Sequence, residues 1–174
     1  MMRVASYAAV LAASLAVSMP QSTFAQDSVS NREQIEGVID RFGKAIVDKD
    51  VAGFMGLFLH EDIAWNVVYT DGSVDRYNRA LKDPKMPRAT KVQRASPRAF
   101  IESIARSRQV KSETFSNVRI DTDGEVAQVW FDYAFMSGDY KNAWGKEGWQ
   151  LVRTEAGWKI AAVTWSAEEN PVPR

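Results

Sequence analysis

The 174-residue chain has no cysteine and a single histidine, His60. The first absence excludes disulfides and a lipid-anchoring cysteine. With one histidine and no thiol, a metal site would have to be built from carboxylates. No acidic spacing matches a calcium loop or a zinc motif. There is no glycine-rich phosphate loop and no nucleophile elbow, so no metal and no cofactor are expected. Charge of one sign is also missing, with 22 basic against 22 acidic residues. Without a net field, nucleic acid is not an expected partner. No apolar run is long enough to span a bilayer. The longest, Ala8 to Met19, follows Arg3, the only charge before Asp27, and precedes Pro20 and Thr23-Phe24-Ala25. That pattern is a signal peptide cleaved near Ala25. Residues 1–25 are therefore expected to be removed, and 26–30 to form a short linker. The domain is expected over 31–166, with a flexible tail over 167–174. A cysteine-free exported chain suits a bacterial periplasm or exterior. The mature chain is left with a net charge of about −1.

Beyond these absences, aromatic residues and period-two alternation dominate. Asn31 and Gln34 frame the start of a helix whose apolar positions Ile35, Val38, Ile39, Phe42, Ala45 and Ile46 form one stripe. A short second helix is expected over Val51 to Leu59, then a strand over Ile63 to Tyr69. Thr70-Asp71-Gly72-Ser73 signals a hairpin turn. From Asp75 to Arg98 the periodicity fades into a long basic loop broken by Pro84, Pro87 and Pro97. Ser96-Pro97 starts a third helix. Thr114 to Ile120 reads as a strand, and three aromatic-rich strands follow between Glu125 and Ser166. Helices first and consecutive strands last make the class α+β.

In the first closing strand, Ala127, Val129, Phe131, Tyr133 and Phe135 share one face, and Gln128, Trp130 and Asp132 share the other. The mixed face either meets water or lines a cavity that needs a few polar groups. The six tryptophans, among them Trp65, Trp130, Trp149 and Trp165, are core or cavity wall.

Three stretches resemble the nuclear-transport-factor-2-like superfamily in its SnoaL-like or ketosteroid-isomerase-like bacterial branch. They are Arg41-Phe42 through Asp50 to Leu57-Phe58 and Glu61-Asp62, then Asp123-Gly124-Glu125-Val126-Ala127, then Gly157-Trp158-Lys159-Ile160 to Trp165-Ser166. The resemblance implies a cone-shaped, strongly curved antiparallel sheet wrapped around about three helices and enclosing an apolar pocket. It implies a homodimer through the outer sheet face. It sends Gln128, Trp130 and Asp132 into the pocket with Phe42, Trp65, Tyr69, Trp149, Val163 and Trp165, and sends Phe131, Tyr133 and Phe135 outward.

Ketosteroid-isomerase chemistry needs a carboxylate base and two oxyanion donors. The family's tyrosine falls on Phe42 and its base near Asn66–Val67, so that activity is rejected; Glu147 could fill the position of the protonated acid. Three catalytic candidates stand. Asp132 is an acid–base group if buried, or a paired surface carboxylate. Glu147 is the acid or part of a turn, and His60 is a proton carrier or a surface residue. The reading favoured is an exported protein binding a small apolar or aromatic molecule. The alternatives are an isomerase, dehydratase or cyclase using Asp132, and a protein-interaction module using the basic loop.

Overall fold

A computed structural model describes residues 22–83 and 85–173, with side chains from residue 30 onward. Residues 1–21, most of the expected signal peptide, lie outside the described residues. Ten elements follow in order: α1 (Ser22–Asp48), α2 (Val51–Met55), β1 (Ala64–Tyr69), α3 (Asp71–Ala80), β2 (Val92–Arg94), α4 (Pro97–Arg106), β3 (Lys111–Thr122), β4 (Val126–Ser137), β5 (Tyr140–Thr154) and β6 (Gly157–Glu169). The class is α+β, as expected. No described helix is long and apolar enough to cross a membrane.

The predicted stripe of α1 is buried at every position from Ile35 to Ile46. Residues 26–30, expected as a linker, belong to this helix. Lys49 ends it in the left-handed region at φ 58°, and the Asp50 amide donates back to the Ala45 carbonyl at 2.9 Å. This is a Schellman-type stop made without glycine. Asp50 then caps α2, accepting from the Gly53 amide at 2.8 Å.

The signal at Thr70–Ser73 resolves differently from a hairpin turn. The Thr70 hydroxyl accepts from the Ser73 amide at 3.2 Å, and Asp71 supplies the negative charge that suits a first turn. The same residues that favour a turn thus cap a helix, α3, and the expected basic loop shrinks to the stretch between α3 and β2. Several cations of the expected Asp75–Arg98 loop are paired: Arg76 with Glu168, Lys91 with Asp71 and Arg98 with Glu61. That weighs against a basic patch aimed at an acidic partner.

The six strands form one sheet in the order β2-β1-β6-β5-β4-β3. It is mixed: β1 lies parallel to β6, and every other pairing is antiparallel. The expected all-antiparallel sheet fails at this one seam. A chain that leaves β1 through α3, β2, α4 and three further strands returns beside it in the same direction. Register shifts at Ser116/Arg119, Phe135/Met136 and Gln150/Leu151 bend the sheet. The expected loose tail begins later than 167, because β6 continues to Glu169 and buries Ala167.

One core joins the inner face of the sheet to α1, α2 and α4. Phe42 stands at its centre, 4.7 Å from Phe54 and 4.8 Å from Trp149 between ring centroids. The period-two reading of β4 is right, but its faces are reversed. Ala127, Val129, Phe131 and Tyr133 are buried, whereas Gln128 is exposed and Trp130 is 48% exposed. The physical reason is desolvation. The wholly apolar face costs least to bury, and turning Asp132 inward would strand a charge.

Candidate functional site

Two cavities among the described residues lie on opposite faces of the bent sheet. The larger, about 750 Å³, is an open groove on the outer face, lined by Arg119, Gln128, Trp130, Lys146, Gln150 and Thr164 among others. Asp132 lies on this side. It accepts from the Asn117 side-chain amide at 2.6 Å and forms an ion pair with Lys146. The Asn117 hydrogen bond and then Lys146 hold its carboxyl below the usual range. The expected acid–base role required the opposite shift. Gln128 and Trp130 likewise leave the inner pocket for the outer face. His60 sits in an exposed turn with Nδ1 2.6 Å from Asp62. It lines neither cavity.

The smaller cavity, about 130 Å³, lies on the inner face. Period-two alternation aims its walls. Trp65, Val67 and Tyr69 come from β1, Trp165 and Ala167 from β6, and Tyr133 and Phe135 from β4. Phe42 of α1 and Phe100 of α4 close the helical side. Of the expected pocket residues, Phe42, Trp65, Tyr69 and Trp165 line it. Trp149 and Val163 are buried in the adjoining core.

Three carboxyl groups line this aromatic box: Glu113 and Glu147, which pair with each other, and Glu169 at the end of β6. Glu147 of β5 is only 4% exposed and lies on the same strand face as Trp149 and Leu151, both buried. The Trp149 indole N–H donates to its Oε1 at 2.6 Å. Glu113 of β3 hydrogen-bonds to Glu147. Burial, then the charge of Glu147, pushes the Glu113 carboxyl well above its ordinary value. Burial pushes Glu147 up to about 7, against the pull of the bonds from Trp149 and Glu113. The environments separate the pair: the shared hydrogen bond raises Glu113, the donor, and lowers Glu147, the acceptor, so Glu147 ionises first. The Tyr133 hydroxyl stands nearby and donates to the Ser166 carbonyl at 2.9 Å. Burial and then Glu113 raise its pKa, so it stays neutral.

That hydrogen bond depends on Gly145, the residue opposite Tyr133 in the ladder. A Cβ at 145 would come within 2.1 Å of the Ser166 carbonyl oxygen. Glycine here lets the two strand backbones approach and holds the acceptor in reach.

Sequence reasoning found Glu147 but missed Glu113 and Tyr133. Tyr133 lies on the face expected to point outward. Glu113 lies one residue before the strand expected over Thr114 to Ile120, whereas β3 begins at Lys111. Glu113 alternates with Phe115 along the strand, and a lone carboxylate in an aromatic row is the signal.

Bringing two carboxyls together in an apolar box supplies a proton acceptor and a neutral donor with no other group required. No protein-family model and no curated protein sequence matches the chain. Solved structures do match. A protein of unknown function from Mycobacterium tuberculosis is 18% identical, with a TM-score of 0.59 over 84% of this chain and 77% of that one. A nuclear-transport-factor-2-like protein with a cystatin-like fold from Novosphingobium aromaticivorans is 17% identical, with a TM-score of 0.58 over 82% and 84%. A candidate scytalone dehydratase from the same organism is 15% identical, with a TM-score of 0.57 over 86% and 98%. Identities this low establish a shared fold and leave the chemistry to the residues.

Proposed function

Given a chain with the nuclear-transport-factor-2-like fold, we propose that its inner pocket binds a small ring compound and moves a proton on it without a cofactor. The observation that carries this is the Glu113–Glu147 pair inside the aromatic cavity. In the proposed step, the Glu147 carboxylate takes a proton from the carbon beside a carbonyl. The Glu113 O–H, turned from Glu147 to the ligand as it enters, supports the oxygen as negative charge develops there. Returning the proton at another carbon gives an isomerisation. Proton transfer from Glu113 to a departing hydroxide gives a dehydration. This replaces Asp132 as the acid–base group and moves the weight from pure binding toward catalysis.

The test is deuterium exchange beside the carbonyl of 2-cyclohexenone, a single-ring probe, followed by NMR near neutral pD. The wild-type protein should exchange these protons faster than buffer. Glu147→Gln should lower that rate by about a hundredfold or more, and Asp132→Asn should leave it unchanged. Exchange no faster than in buffer removes the catalytic half of the proposal and leaves binding alone.

Two further parts of the reading belong here. Export is supported by the pattern of residues 1–25. A homodimer through the outer sheet face is supported by the exposed Trp130 and the broad groove around it.

A further inference from the structure

Beside the inner pocket, on the far side of Tyr69 and Glu169, is a second cavity of about 250 Å³. Both residues line both spaces. Size makes the neighbour matter. An apolar cavity of about 150 Å³ holds one benzene ring, so the inner pocket, at about 130 Å³, has room for a single ring and little else. A substituent directed from the inner pocket into this neighbour passes between Tyr69 and Glu169.

The second chamber is walled by anchored segments. Its floor is α3, presenting Ser73, Val74 and Tyr77. The Ser73 hydroxyl oxygen accepts from the Glu169 amide at 2.9 Å, which fixes the helix to the end of β6. Its roof is the stretch Pro87–Ala89. The Asn78 side chain grips that roof from both sides, accepting from the Ala89 amide at 2.9 Å and donating to the Ala89 carbonyl at 3.4 Å. The next turn of chain is held where the Tyr69 amide donates to the Lys91 carbonyl at 2.8 Å. Gln93 of β2 closes the side.

We infer that the ligand is a ring compound with an arm: the ring sits beside Glu147, and an uncharged, hydrogen-bonding arm extends past Tyr69 into the chamber under α3. The inference rests on the inner pocket being a ligand site. The chemistry of the chamber selects the arm. Gln93 and Tyr77 offer neutral donors and acceptors, and Val74 and Pro87 offer apolar contact. The one cation, Arg88, and the one anion, Glu169, line the same small space, so the chamber has no net charge to repay the desolvation of a charged arm. A hydroxyl or amide arm incurs a smaller desolvation cost.

The experiment is calorimetric titration with two probes that share a head, phenol and 4-(4-hydroxybutyl)phenol. The wild-type protein should bind the armed probe about tenfold more tightly than phenol. Val74→Phe, which fills the chamber, should bring the two affinities to within about twofold while phenol binding is retained. Tyr77 is on the surface, so Tyr77→Ala should fold normally; removing that wall should cut the arm's advantage about threefold. If phenol binds and the armed probe gains nothing, or if both variants keep the full gain, the second chamber is not a subsite and the inner pocket stands alone. If neither probe binds the wild-type protein, the inner-pocket reading fails and this inference fails with it.

Discussion

At the scale of single residues, the buried acid pair ties function to stability. Glu147 moves from an ordinary 4.5 in the unfolded chain to about 7 in the fold. Such a displacement corresponds to about 3 kcal/mol of differential proton binding. The native state holds the proton more tightly than the unfolded state does. The fold is therefore most stable below about pH 4.5 with respect to this group, and it loses that stability as pH rises through about 7. Glu113 acts in the same direction. Thermal denaturation followed between pH 5 and 8 should show the wild-type midpoint falling toward the alkaline end. Glu147→Gln should remove its own share of that slope, leaving the share that Glu113 supplies, and melt higher than wild type at pH 8. Asp132→Asn should have the opposite sign, since its carboxyl is held low: any stabilisation it supplies is present above the ordinary carboxylate range and lost as pH falls.

At the scale of elements, the approach of β5 to β6 around Gly145 is the feature most open to attack. Gly145→Ala should force Ser166 away from Tyr133, because the obstructing atom is backbone and not a flexible side chain. We expect a loss of about 1–3 kcal/mol in denaturant unfolding, with a changed Tyr133 environment visible by NMR. Gly157→Ala, by contrast, meets open space, and its cost comes from the left-handed φ of 93° alone. Much of this level was legible from sequence. The stripe of α1, the Ser96 cap of α4 and the turns of the last three strands follow from local chemistry. Period two identified which residues of β4 travel together, but it carries no information about which set faces the helices. That depends on comparing the cost of burying each face, and the resemblance outweighed the comparison at Asp132. The residues Thr70–Ser73 satisfy the rules for a turn and for a helix cap equally, so only tertiary context separates the two. Glu113 and Glu147 belong to strands that are not neighbours, since β4 lies between them. No local pattern brings such a pair together.

At the scale of the whole molecule, the proposed dimer would use the outer groove and the exposed Trp130. The proposed dimer predicts that sedimentation velocity finds a species of twice the chain mass at micromolar concentration. Trp130→Asp should shift it to monomer, while exchange activity per chain is retained because the carboxyl pair faces the other side of the sheet.

The parallel seam between β1 and β6 has a consequence for how the protein is made. Ala64 pairs with Ala162 and Thr70 donates to Glu168, contacts roughly a hundred residues apart in a chain that must close that loop before gaining from it. During synthesis β1 emerges early and has no partner on that side until the final strand leaves the ribosome. Until then β1 and β5 each expose an unpaired edge. The aromatic box takes walls from both strands of this seam and the second chamber takes Glu169 from the end of β6, so a nascent chain stopped before β6 completes neither. Completion of the sheet, the pocket and the chamber is a single late event, and the interval before it is when the chain is most vulnerable to pairing with the wrong strand.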